Sequence, residues 1–164
     1  MALIQITDLT FTYPGSFDPV FEHVSFQLDT DWRLGLTGRN GRGKTTLLRL
    51  LQGQYPHQGT ITAPGGFEYF PYPIPDAALT PLELLECSFP DVPQWRLRRE
   101  LAPLFVTDDA LYRPFSTLSG GEQAKILLAL LFAREGRYLL IDEPTNHLDE
   151  TGRALVSRYL AKKS

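Results

Sequence analysis

Apolar and polar residues alternate only in patches along this chain, and the patches predict short strands and helices in turn. Residues 3–12 show partial alternation with many β-formers and read as a strand, ended by the Pro14-Gly15 turn. Residues 24–28 read as a second strand, and residues 32–36 as a third that closes on Thr37-Gly38. Residues 45–52 line Leu47, Leu48, Leu50 and Leu51 along an apolar side, the pattern of a helix, and Gly53 stops it. Residues 60–62 and 67–70 read as a strand pair across Pro64-Gly65-Gly66. Pro71, Pro73 and Pro75 then alternate with Tyr72, Ile74 and Asp76, which predicts extended chain.

Thr80-Pro81-Leu82-Glu83 has a cap residue, a proline at the first helical position and a capping-box acid, so a helix starts there. Residues 94–104 read as helical. Ser119-Gly120-Gly121-Glu122 repeats the capping-box logic and opens a long helix to about Arg134, stopped by Gly136. Residues 138–142, Tyr-Leu-Leu-Ile-Asp, predict a buried strand, and residues 151–161 a final helix. Strands separated by helices point to an α/β domain with parallel strands.

Composition narrows the function classes. With 164 residues there is room for one domain with a sizeable core. A net charge of −3 argues against a polybasic nucleic-acid module. Hydrophobic residues at 43% and charged residues at 21% argue against disorder. One cysteine, Cys87, excludes an internal disulfide framework, and three scattered histidines are too few for a zinc finger. A reducing, cytoplasmic setting fits. The first residues, Met-Ala-Leu-Ile-Gln, carry neither a basic segment nor an apolar one, so no signal peptide is expected. The longest apolar run, residues 126–133, falls far short of the roughly 20 residues a membrane span needs, so direct membrane insertion is not expected.

Gly38-Arg39-Asn40-Gly41-Arg42-Gly43-Lys44-Thr45 matches G-x-x-x-x-G-K-[ST], the phosphate loop, with Thr46 following. Glycines let the backbone wrap a phosphate chain with N–H groups pointing inward, and the helix that follows aims its positive end at the same anion. Lys44 would reach the β and γ phosphates of ATP, and Thr45 would offer its hydroxyl to magnesium. Arg39 and Arg42 either add positive field near the phosphates or are solvated. A dinucleotide-binding reading fails, because Thr46 stands where the third glycine belongs.

The apolar strand 138–142 ends in Asp142 and Glu143. In P-loop NTPases an aspartate at this place holds the magnesium shell. Glu143 is the candidate catalytic base, placed to polarise a water for in-line attack on the γ phosphate. Ser119, Gly120 and Gly121 at a helix start make a second anion cradle. One domain needs one such cradle. Two suggest a head-to-tail pair in which each Ser119 segment closes over the partner's ATP. A serine-hydrolase elbow fails, because Thr117 occupies a required glycine position.

Leu118-Ser119-Gly120-Gly121-Glu122-Gln123 resembles the signature motif of ATP-binding cassette (ABC) domains, and the order of motifs matches theirs. The resemblance implies a P-loop α/β fold of ABC type. Such a fold has a mostly parallel core sheet with flanking helices, an N-terminal antiparallel portion and a small helical subdomain, here at about 75–135. It implies nucleotide contacts for Tyr13 (against adenine), Gly38 to Thr46, Ser119 to Glu122 and, in the loop after the acidic strand, Asp149. Tyr13 otherwise reads as a surface tyrosine at a strand end. Asp142-Glu143-Pro144-Thr145-Asn146-His147-Leu148-Asp149 resembles the corresponding segment of the ABC-F family. Those are soluble proteins with two ABC domains in one chain, acting on the ribosome as translation factors or in antibiotic resistance. Residues 32–48, 67–72 and 111–132 resemble the first ABC domain of the resistance branch.

Two departures stand out. Tyr72 occupies the place of the family's Q-loop glutamine. None of His23, His57 and His147 occupies the place of its switch histidine, so residues 1–164 are expected to form one ABC domain without its last strand and switch region. The function implied is an ATP-binding, ATP-hydrolysing domain whose partners are ATP, a second ABC domain (in the same longer chain or in a head-to-tail homodimer) and the ribosome. Alone, residues 1–164 are expected to turn ATP over little. The competing reading is the ATP-binding subunit of a membrane transporter. The basic stretch Trp95-Arg96-Leu97-Arg98-Arg99 reads either as an RNA contact or as a solvated helix face.

Overall fold

The computed structural model describes residues 2–163; Met1 and Ser164, the ends of the expected domain, lie outside the described residues. The chain divides into two compact units. One runs up to Glu68 and takes in Gly136–Leu140; the other holds Tyr69–Glu135 and Ile141–Lys163.

In the first unit, β1 (Leu3–Phe11) changes its buried parity partway along. Ile4 and Ile6 are buried, then Leu9 and Phe11. A bulge at Asp8 makes the change. Pairing with β2 (Phe21–Asp29) jumps from Ile6↔Phe26 to Leu9↔Val24, and pairing with β3 (Gln58–Thr62) jumps from Thr7↔Thr60 to Thr10↔Gln58. One extra residue re-aims every later side chain, which is why strict alternation was not visible in this strand. Asp8 has φ 55°, and its N–H donates to Ser25 Oγ at 2.8 Å. Its carboxylate lies 2.6 Å from His23 Nδ1, and that hydrogen bond, with the carboxylate's charge, raises the imidazole pKa above its usual value. Gly59 lies beside the bulge with φ +85°; a Cβ there would lie 2.3 Å from Asp8 O, so only glycine fits. The sheet is antiparallel in the order β2-β1-β3. Helix α1 (Lys44–Leu51) adds the buried Leu50 and Leu51.

The second unit is mainly helical. Helices α2 (Pro81–Ser88), α3 (Gln94–Leu101) and α4 (Gly120–Ala133) fall within the expected helical stretch, and α5 (Glu150–Ala161) closes the unit. Both expected capping boxes form. Thr80 Oγ1 accepts from Glu83 N at 3.2 Å, while Thr80 N donates back to Glu83 Oε2 at 2.8 Å. Each such cap stabilises its helix by about 1 kcal/mol. Ile126, Leu127, Leu128, Ala129, Leu130 and Leu131 are all buried, so α4 is the apolar centre of this unit. An unbroken apolar run on a helix requires neighbours on every side.

Three expectations from the sequence are corrected. Residues 32–36 form no strand: they join neither sheet, and Trp32, Leu34 and Leu36 are 60%, 57% and 49% exposed. An apolar pattern states what a side chain needs, whereas a strand needs a neighbouring ladder. Next, β3 does not pair with β4 (Gly66–Phe70). β3 pairs with β1, and β4 pairs with β5 (Arg137–Ile141) in a separate two-stranded sheet. Pro64-Gly65-Gly66 marks a turn, but the ladder partners come from distant sequence. Lastly, in β5 only Leu140 is buried, Arg137 is exposed and the rest are half-buried, because β4 is its one neighbour in that sheet.

Candidate functional site

The phosphate loop lies in the first unit. Gly41 and Gly43 take φ 76° and 86°, left-handed values that glycine adopts without strain, and Gly43 caps α1. Gly43 O accepts from Leu47 N at 2.8 Å, which closes the first turn. Lys44 Nζ donates to Gly38 O at 2.5 Å and to Arg39 O at 3.0 Å. The loop is thus folded around its own ammonium at a helix N-terminus, an arrangement suited to an anion. Arg39, Asn40, Arg42 and Thr45 are exposed, while Thr46 is buried. The Tyr13 hydroxyl lies 2.7 Å from Thr46 Oγ1. The Tyr13 ring meets Phe11 and Tyr55 edge-on, at 4.9 and 5.7 Å between centroids, and is 39% exposed.

The acidic pair lies in the second unit. Asp142 N–H donates to Phe70 O at 3.1 Å, and Tyr69 OH donates to Asp142 Oδ2 at 2.7 Å. Glu143 is exposed at φ 45°; its Oε2 accepts from Asn146 Nδ2 at 2.5 Å, and its carbonyl accepts from Asn146 N at 3.1 Å. Asp149 Oδ1 accepts from Gly152 N at 2.7 Å, so this side chain caps α5. In the signature segment, Ser119 Oγ accepts from Glu122 N at 3.1 Å, and Ser119 N donates to Glu122 Oε1 at 3.2 Å. Arg113 Nη2 donates to Glu122 Oε2 at 3.3 Å. A Cβ on Gly120 would lie 3.5 Å from His147 Cβ, and one on Gly121 would lie 3.3 Å from Leu148 Cδ2. The two glycines let the signature helix start against the 147–148 turn.

Sequence reasoning missed three of these contacts: Tyr69 on Asp142, Asn146 on Glu143, and the packing of the signature glycines. The first joins residues 73 apart and leaves no local signal. Tyr72, which the resemblance sets in the glutamine's place, has its ring 5.1 Å from that of Phe89. The basic stretch of α3 is charge-matched: Arg96 pairs with Glu135, Arg98 with Asp108 and Arg99 with Glu100, at 3.1, 3.1 and 3.5 Å.

Among the described residues, no group of three or more His, Cys, Asp and Glu gathers to hold a metal. Magnesium on a nucleotide asks for less: one or two protein oxygens beside the phosphates. A threonine hydroxyl and one carboxylate suit that hard cation.

The sequence profile described as ABC transporter matches residues 21–69 and 91–146. An ABC transporter F family member 3 from Arabidopsis thaliana is 34% identical over 90% of this chain and 21% of its own length. Mouse ATP-binding cassette sub-family F member 3 is 31% identical over 93% of this chain and 22% of its own length. The chain therefore spans about a fifth of the length of these relatives. A chain from Pyrococcus furiosus described as an ABC transporter (ATP-binding protein) superposes with a TM-score of 0.80 at 22% identity, covering 96% of this chain and 84% of that one, which shows the shared α/β P-loop fold. Among the described residues, no helix is long and apolar enough to cross a membrane. With the profile covering most of the sequence and F-family members among its relatives, the chain belongs to the ABC transporter family of ATP-binding cassette proteins.

Proposed function

We propose that this chain binds ATP with magnesium and is the N-terminal nucleotide-binding half of a longer, cytoplasmic F-family protein that hydrolyses ATP and acts on the ribosome. The observation that carries the nucleotide assignment is the loop of Gly38 to Thr45, folded around the Lys44 ammonium at the start of α1. Backbone N–H groups from Gly38 to Thr46 bind the phosphate chain, Lys44 neutralises it, and the exposed part of the Tyr13 ring lies against adenine. Thr45 and Asp142 are the residues that would hold the metal, which would screen phosphate charge. Glu143 takes the proton of the attacking water. Ser119, Gly120, Gly121, Glu122 and Asp149 face the nucleotide of a second ABC domain in a head-to-tail pair.

The span of about a fifth of its relatives supports a longer protein. Asn146-His147-Leu148-Asp149 and the F-family relatives support a ribosomal target, in translation or in antibiotic resistance. The test uses the full-length protein with Glu143→Gln. Nucleotide and metal stay bound while the water loses its base, so the closed clamp accumulates. It should co-sediment with ribosomes in ATP and not in ADP. Recovery with a membrane permease, and ribosome-free gradients, would favour a transporter subunit instead.

A further inference from the structure

We propose that Tyr69 is a positioning residue that sets the orientation of the Asp142 carboxylate; the proposal rests on the assignment of Asp142 to the metal shell. Tyr69 lies near the end of β4 and is 3% exposed. A buried phenol hydroxyl needs a hydrogen-bond partner. Its partner here is ionisable: the hydroxyl donates to Asp142 Oδ2 at 2.7 Å. Hydrogen bonds to a carboxylate are roughly twice as strong as those between neutral groups.

The contact is reinforced from the main chain. Asp142 N–H donates to the carbonyl of Phe70, the residue after Tyr69, at 3.1 Å. Side chain and backbone of Asp142 are therefore both tied to consecutive residues of one strand. An aspartate just past a strand end otherwise samples several rotamers. The Tyr69 bond selects one and directs Oδ2 along a fixed line. Outer-shell groups of this kind orient metal ligands, and their loss typically weakens metal binding about 10–100-fold. Phenylalanine would fill the same space, so the hydroxyl serves the carboxylate and the ring serves the core. Tyr69 acts on the metal site through Asp142.

The experiment is a titration of free Mg²⁺ against the affinity of the full-length protein for mant-ATP, with a parallel measurement in EDTA. Tyr69→Phe should need about 10-fold more Mg²⁺ to reach half of the metal-enhanced affinity. Its affinity in EDTA should stay near wild type, and its melting temperature should fall by only a few degrees, as the loss of one hydrogen bond requires. Excess Mg²⁺ should restore its kcat. A Tyr69→Phe titration that overlays wild type overturns the proposal. Asp142→Asn separates the two levels: if it keeps the full Mg²⁺ response, the assignment of Asp142 itself fails. If it loses the response while Tyr69→Phe does not, only the role of Tyr69 fails. In the Asp142→Asn background, Tyr69→Phe should add nothing. Where Tyr69→Phe melts too early to measure, 3-fluorotyrosine at position 69 keeps the ring and donates more strongly. It should lower the Mg²⁺ requirement, and no change would count against the proposal.

Discussion

Tyr13 and Thr46 are joined hydroxyl to hydroxyl at 2.7 Å, which ties the chain just after β1 to the first turn of α1. Thr46 is buried, so its hydroxyl depends on this partner. Tyr13→Phe keeps the ring against Phe11 and Tyr55 and removes the bond. It should lower stability by about 1 kcal/mol, read from urea unfolding. Tyr13→Ala, which also loses the ring contacts, should cost more; equal losses would mean that the rings contribute nothing.

Lys44→Ala should weaken ATP binding at least about 10-fold, and by more than Tyr13→Ala does. The lysine loses a full charge facing phosphate, whereas the tyrosine loses one ring face. Calorimetry of both variants ranks them, and unchanged affinity in Lys44→Ala would remove the phosphate loop from the binding site.

Residues 1–164 alone should bind ATP and hydrolyse it little. Phosphoryl transfer depends on positioned charge, and each absent stabilising donor typically lowers the rate about 10²–10³-fold. By the resemblance, Tyr72 takes the place of the Q-loop glutamine and none of His23, His57 and His147 that of the switch histidine, and within residues 1–164 a signature segment would reach the loop only from a second copy. Steady-state phosphate release measures this, with Glu143→Gln as control. Robust turnover abolished by the control would show that these groups are dispensable.

Gly59→Ala should destabilise the antiparallel sheet by about 2–4 kcal/mol, from the left-handed backbone plus overpacking. The added Cβ would meet the carbonyl oxygens of Asp8 and Thr7 at 2.3 and 2.5 Å, and backbone cannot rotate away as a side chain can. Thermal melting checks it. A neutral substitution would mean that the Asp8 bulge relaxes freely.

Glu100 is buried, yet it should remain ionised below the usual carboxylate range. Burial pushes its pKa up, but hydrogen bonds from Lys163 and Tyr159, with the charges of Lys163 and Arg99, outweigh that and leave it lowered. A lowered folded-state pKa contributes stability that is fully present above the unfolded value, near 4.5, and lost as pH falls through the folded value. Unfolding free energy should therefore drop as pH is taken down from about 5. Glu100→Gln should reduce that slope and lower stability at pH 7 by about 1–3 kcal/mol, because Lys163 and the Tyr159 hydroxyl lose a charged partner. An unchanged pH slope in Glu100→Gln would rule this group out.

What the sequence determined by itself is local. Both capping boxes are legible because cap and acid stand three residues apart, within one turn of helix. The phosphate loop is legible because its glycines and the start of α1 adjoin in the chain. The burial of Ile126 to Leu131 is legible because an unbroken apolar run in a helix has no solvent face. Tertiary structure decided whatever depends on a distant partner. Asp142 meets Tyr69 across 73 residues, and Glu100 meets Tyr159 across 59. The Asp8 bulge needs Gly59 beside it, β3 pairs with β1 in preference to β4, and residues 32–36 join no ladder despite a strand-like pattern. Helical hydrogen bonds close within four residues, so their signals lie in the sequence nearby. Strand ladders and buried polar pairs close wherever the chain returns, and apolar periodicity records the need for a neighbour without naming it.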